Sequence, residues 1–269
     1  MHQTVTANDA PTRWEDHVVP QNWAAFSQAD HDTWDRLYAR QVQRLEGRIV
    51  SQFLSGLELL ALDEPGIPDL ARLSARLEAR TGWRLASVAG IVPDAAFFAM
   101  LAERVFPVGN FIRDGKQLDY LEEPDCFHDI FGHVPLFAHD AMAELMAALG
   151  RLGVVACADG HGEVMSRLYW HTVEFGLARE DGETRILGAG LASSFGEAVH
   201  ALDADLPRPR FTLQDAAATP YRSDRFQPLY FVSDSLEATT ALLRQLTVEE
   251  LSGLGYGGAH GRGTDFQAG

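Results

Sequence analysis

The sequence predicts a mostly α-helical fold with a minor, short-stranded β-sheet, built as a single compact domain. Three observations predict it. Apolar residues recur at helical spacing along much of the chain, strand signals are few and short, and 269 residues with 46% hydrophobic content can bury one sizeable core.

Taken in order, residues 1–25 are polar and aperiodic and are expected to be a loose tail. From Asp32 to Leu62, residues Trp34, Leu37, Val42, Leu45, Ile49, Phe53, Leu57 and Leu60 recur three to five apart, the pattern of one long amphipathic helix. Further helices are predicted over 67–81, 94–105, 140–152, 162–178, 194–202 and 235–246. The best strand candidates are Arg185-Ile186-Leu187, Arg210 to Leu213 and Leu229 to Val232. Residues 252–269 carry seven glycines and are expected to form a second loose tail, leaving 26–251 as the folded domain. There is no internal repeat and no low-complexity linker.

A formal net charge of −16 argues against a surface that tracks phosphates, so nucleic acid and anionic membranes are poor partners. Two cysteines, Cys126 and Cys157, make no disulfide framework and fit a reducing compartment. The N-terminus lacks a basic region followed by an apolar run, and no stretch is expected to reach membrane-spanning length. The cytoplasm is the default location.

Chemistry concentrates in Pro124-Asp125-Cys126-Phe127-His128-Asp129-Ile130-Phe131-Gly132-His133-Val134-Pro135, which sets two imidazoles and two acids in an otherwise apolar run. Burying such groups is costly unless they bind something. On a continuous α-helix, residues five apart lie about 140° apart, so His128 and His133 could not share a ligand. The helix is therefore expected to end between them, with Gly132 as a left-handed terminus and Pro135 as the stop. The zinc-protease motif needs histidines four apart with glutamate after the first; here the neighbour is Asp129. In Leu168 to Leu177, Glu174 has mostly apolar helical neighbours and would be costly alone. A proton, an ion pair with His171, or a metal could retain it, and two neutral imidazoles with one carboxylate form the facial set of non-haem Fe(II).

These residues also carry a resemblance. The run Pro124 to Pro135, followed by Tyr169-Trp170, Thr172-Val173-Glu174-Phe175-Gly176-Leu177 and Gly188-Ala189-Gly190-Leu191-Ala192-Ser193-Ser194-Phe195-Gly196-Glu197, closely resembles the pterin-dependent aromatic amino acid hydroxylases. The match is in order and nearly ungapped from about Gly82 to Asp234, and takes in Arg104-Val105-Phe106, Phe111-Ile112-Arg113 and Phe226-Gln227-Pro228-Leu229-Tyr230. Leu118-Asp119-Tyr120 before Glu123-Pro124-Asp125, together with His128-Asp129, is most similar to bacterial members that act on phenylalanine.

What the resemblance implies is conversion of L-phenylalanine to L-tyrosine, in phenylalanine catabolism, with Fe(II), O₂ and a tetrahydropterin. His128, His133 and Glu174 would be the metal ligands. Arg113 would take the substrate carboxylate, its planar fork suiting bidentate recognition. Asp125 would orient Arg113 or the first histidine, or cap the helix. Pro124, Trp170 and Phe175 would form the slot for the aromatic ring, with Ser193 beside the amino acid. Phe97 would stack on the pterin, with Gly90, Val92, Asp129, Ser166 and Tyr169 around it. Asp129 stands where animal relatives carry glutamate, and Asp94 replaces a small hydroxyl residue. His171, at a position usually aromatic in the family, reads as a flat ring. Pro107 and Ser223 fall where phenylalanine-, tyrosine- and tryptophan-specific relatives differ, and neither offers an obvious partner for a phenol hydroxyl, which favours phenylalanine. The short chain lacks the regulatory and subunit-joining segments of eukaryotic relatives, so a monomer is expected. Hydroxylation of tryptophan or another aromatic, and a silent pterin- or metal-binding protein, are the alternatives.

Overall fold

Ser27 opens the first helix, α1 (Gln28–Leu45), through a reciprocal capping box with Asp30. A computed structural model describes residues 13–116, 118–119 and 123–254. The long helix expected over Asp32–Leu62 is two helices. Gly47, at φ +67°, turns the chain between α1 and α2 (Ser51–Leu59), a conformation that costs glycine little. Both halves still bury one face, with Trp34, Leu37, Leu45, Phe53 and Leu57 in the core, so the apolar spacing continues across the break.

Helix α3 (Leu70–Thr81) is capped by Asp69 and closed by Gly82 in the left-handed conformation. It leads into β1 (Arg84–Val88), α4 (Asp94–Ala102) and β2 (Val105–Gly109), whose two strands pair in parallel. The helix predicted over 94–105 thus ends early. Val105 to Gly109 is fully buried, and such a strand shows no alternation to separate it from a buried helix. Next come α5 (Val134–Phe137), α6 (Asp140–Ala158) and α7 (Gly162–Tyr169). Helix α6 corrects the expectation about spanning length. Its 19 residues are long and apolar enough to cross a membrane, with a mean hydropathy of 1.6 over the window. Here Met142, Leu145, Met146, Leu149 and Leu152 are buried in the core.

The predicted helix 162–178 also stops short. Strand β3 (Leu177–Glu180) follows it and pairs antiparallel with β4 (Glu183–Ile186) across Asp181-Gly182, both at positive φ. That two-residue Asp-Gly turn is a strong hairpin signal. After α8 (Ala189–Ser193), α9 (Phe195–Asp203) and α10 (Leu213–Ala218), strand β5 (Val232–Ser233) joins β3 in parallel, giving the order β4-β3-β5. The strand expected at Arg210 to Leu213 is reduced to one bridge, Arg210 to Val232, and that at Leu229 to Val232 starts three residues and ends one residue early. Helices α11 (Leu236–Arg244) and α12 (Val248–Leu254) end the described chain.

Of the tail expected over 1–25, residues from Arg13 onward carry short 3₁₀ turns at Trp14–His17 and Trp23–Ala25, and Val18 bridges Val88. Of the tail expected over 252–269, the first three residues belong to α12 and the rest lie outside the described residues.

Candidate active site

Two imidazoles five residues apart do meet, by a different local device from the one expected. His128–His133 is a turn of π-helix, not a helix end. In an i→i+5 turn, residues five apart come to lie one above the other, so the wider turn brings both rings to one side. Gly132 is not left-handed, and Pro135 sits in the first turn of α5 rather than stopping a helix. The requirement for glycine is one of space: a Cβ at 132 would lie 2.8 Å from the Ala189 carbonyl. A second π turn, Trp170–Glu174, extends α7 and ends at Glu174.

The three side chains converge. His133 Nε2 lies 3.0 Å from Glu174 Oε1 and 3.3 Å from His128 Nε2, and His128 Nε2 lies 3.6 Å from Glu174 Oε2. One donor atom from each falls within 4.8 Å of the others, so the set could hold a metal ion. Glu174 pairs with these two histidines and not with His171, whose Nε2 faces the Thr219 carbonyl at 3.0 Å. Protonation supports a cation there. The Ser193 hydroxyl donates to the Ala189 carbonyl (2.9 Å), so its oxygen is left to accept from His128 Nδ1 (2.8 Å). Burial lowers the His128 imidazole to about 4, so the ring is neutral and the proton on Nδ1 leaves Nε2 bare. A bare nitrogen facing a carboxylate oxygen is repulsive unless a cation lies between them. Burial works to raise the Glu174 carboxyl, but His133 Nε2 at 3.0 Å outweighs it and holds it below its ordinary value.

Behind the cluster, Asp125 is fully buried and accepts four hydrogen bonds. Its Oδ2 accepts from Arg113 N (2.9 Å) and Nε (2.8 Å), and its Oδ1 from Arg113 Nη2 (2.8 Å) and His128 N (3.0 Å). Burial pushes this carboxyl up, and the Arg113 guanidinium more than reverses it. Both roles left open for Asp125 are present: it caps the helix and fixes the arginine.

Two cavities open on the cluster. The larger, about 780 Å³, is lined by Arg113, Pro124, Trp170, Phe175 and Ser193 together with His128 and Glu174. The smaller, about 150 Å³, is lined by Gly90, Val92, Phe97, Asp129, Tyr169 and His133, again with His128 and Glu174. Asp129 Oδ2 accepts from Gly109 N (2.7 Å), yet burial pushes its carboxyl up to about 7. Ser166 lies outside that lining and donates to Asp94 (2.9 Å). Pro107 borders the small cavity and Ser223 the large one. Sequence reasoning missed Tyr221, stacked on Trp170 at 4.1 Å, and the wall residues Glu197 and Gln227. Glu197 and Gln227 stand inside recognisable runs, but the pairing between those runs is long-range.

Comparison with known proteins agrees with this geometry. Residues 9–252 match the biopterin-dependent aromatic amino acid hydroxylase family model. Phenylalanine-4-hydroxylase of Caulobacter vibrioides is 44% identical over 240 residues, covering 89% of this chain and 80% of that protein. The enzyme of the same name from Chromobacterium violaceum is 46% identical over 223 residues, covering 82% and 75%. A crystal structure of Chromobacterium violaceum phenylalanine hydroxylase with bound iron(III) and 7,8-dihydrobiopterin superposes with a TM-score of 0.82 at 43% identity, covering 89% of this chain and 85% of that one. With the ligand cluster, the paired cavities and these matches together, the chain belongs to the biopterin-dependent aromatic amino acid hydroxylase family.

Proposed function

We propose that this protein is a phenylalanine 4-monooxygenase that converts L-phenylalanine to L-tyrosine, with Fe(II) held by His128, His133 and Glu174. The observation that carries this reading is that His128 and Glu174 border both cavities, so one ion would face an amino acid on one side and a pterin on the other. When bound, iron and a tetrahydropterin would supply the activation of O₂ and the two electrons that hydroxylation requires.

The chain's own work is positioning. Ser193 keeps the His128 proton on Nδ1, turning Nε2 toward Glu174. Asp125 engages Nε and one N–H of Nη2 of Arg113, which leaves Nη1 and the second N–H of Nη2 for the substrate carboxylate. Pro124, Trp170 and Phe175 give the ring an apolar slot, and the two indole and phenyl rings lie 4.5 Å apart. On the other side, Phe97 offers a ring face to the pterin, with Gly90, Val92, Asp129 and Tyr169 around it. We also infer a cytoplasmic monomer acting in phenylalanine catabolism. The two described cysteines are free.

The test is anaerobic reconstitution with Fe(II), then addition of O₂, tetrahydropterin and phenylalanine, with mass-spectrometric detection of tyrosine and omission of each component in turn. Tyrosine that requires all four supports the reading. Pterin oxidation without tyrosine overturns the substrate, and tryptophan run in parallel shows whether the indole is hydroxylated instead.

A further inference from the structure

Glu197 is a buried carboxyl for which the reaction above has no use. It lies in the first turn of α9, 3% exposed, on the wall of the larger cavity. As the third residue after the cap Ser194, it is placed to reach back in a capping box. Instead its Oε1 accepts from Gln227 N (3.0 Å) and from the Tyr230 hydroxyl (2.9 Å). Among the described residues it forms no ion pair, and burial pushes the carboxyl up to about 7. Retaining such a group costs stability, so what it holds matters.

What it holds is Gln227, itself 3% exposed. The Gln227 amide can face only one way: Nε2 donates to the carbonyls of Arg222 (2.8 Å) and Arg225 (3.1 Å), which leaves Oε1 to accept from Trp170 Nε1 (3.1 Å). The indole so fixed lies against Phe175 at 4.5 Å and Tyr221 at 4.1 Å, forming one wall of the ring slot. The links therefore run from the carboxyl to a backbone N–H, through one side-chain amide, to the indole.

We propose that Glu197 and Gln227 are positioning residues that together fix the Trp170 indole, and so set where the substrate ring lies relative to the metal ligands and which ring carbon is hydroxylated. The inference rests on the amino acid hydroxylase reading. Its consequence is a defect confined to the amino acid side of the site, since neither residue borders the smaller cavity.

The experiment compares Glu197→Leu, Glu197→Gln, Gln227→Met and the Leu/Met double variant, measuring KM for phenylalanine and for tetrahydropterin, tyrosine formed per pterin oxidised, and the ratio of para- to meta-tyrosine. Glu197→Leu and Gln227→Met should each raise KM for phenylalanine by about three- to tenfold, the worth of one hydrogen bond. Both should lower the tyrosine yield per pterin and leave the pterin KM unchanged. The double variant should be no worse than the worse single, because the two act as one unit. Glu197→Gln keeps an oxygen that can accept both hydrogen bonds and should restore coupling and regiochemistry. Additive effects, an equal rise in the pterin KM, or wild-type coupling in Gln227→Met overturn the relay. Gln227→Met leaves the backbone N–H that Glu197 binds, so it decides the matter even if Glu197→Leu does not fold. Wild-type protein that makes no tyrosine overturns the function itself, whereas active wild type with unaltered variants overturns only the relay.

Discussion

His128 shows how much of this site depends on a hydroxyl 65 residues away. Its own residue type supplies a nitrogen; Ser193 decides which nitrogen is bare. Arg113 is similar: the residue is 6% exposed, and Asp125 both neutralises and aims its guanidinium. A buried pair is a weak source of net stability but a costly one to break. Asp125→Asn should therefore cost about 3–5 kcal/mol in urea unfolding, by leaving the guanidinium buried and unpaired. Sign also follows from the carboxyl. Its folded pKa is depressed, so its contribution is present above the unfolded value and is lost as pH falls through the lower folded one. Wild type should lose stability over that acid window and Asp125→Asn should lose less; parallel acid curves would remove the pair as the cause. At this scale the sequence was informative about residue types. It was silent on Glu197 and Gln227, because a glutamate at the third position of a helix looks like a capping residue until its partner 30 residues on is seen.

The two π turns are the elements that make the site. Each widens a helix where a ligand must change face, and neither announces itself in an apolar spacing that tolerates three, four or five. The same ambiguity let one helix be read where Gly47 makes two, and let a helical reading run on through Leu177 and Ala178, which lie in β3. The Asp181-Gly182 turn was the available correction, a local signal outweighed by a longer pattern. Tight packing holds the second π turn: a Cβ at Gly188 would sit 2.2 Å from the Glu174 carbonyl oxygen and 2.7 Å from Phe175 N. Both are backbone atoms that cannot swing aside. Gly188→Ala should therefore destabilise the fold by about 1–3 kcal/mol through overpacking. It should also weaken metal binding by shifting Glu174, as read by Co(II) absorption titration. Unchanged cobalt affinity in a folded variant would show that the turn does not depend on that contact.

Across the whole molecule, the ligands come from two segments about forty residues apart in the chain, held on one continuous core that includes Phe127, Ile130, Phe131, Val134, Leu168 and Leu191. Ions that bind only the assembled cluster must stabilise the fold by mass action. At free Co(II) one hundred times its Kd, stabilisation should be about 2.7 kcal/mol. Chelation should lower Tm accordingly, and Glu174→Gln should abolish the difference. An equal cobalt-dependent shift in that variant would take Glu174 out of the ligand set.

The residue types, their order and their helical spacing were sufficient for the fold class, for the ligand candidates and for the family resemblance, because these are properties of local chemistry and of motif order. Folding alone decided that the helices widen rather than end at the histidines, that β1 and β2 pair in a buried sheet, that Ser193 fixes a tautomer, and that Glu197 reaches Trp170 through Gln227. Each of these depends on contacts between distant segments, where backbone packed against Gly132 or Gly188 leaves no room for a side chain and outweighs local preference.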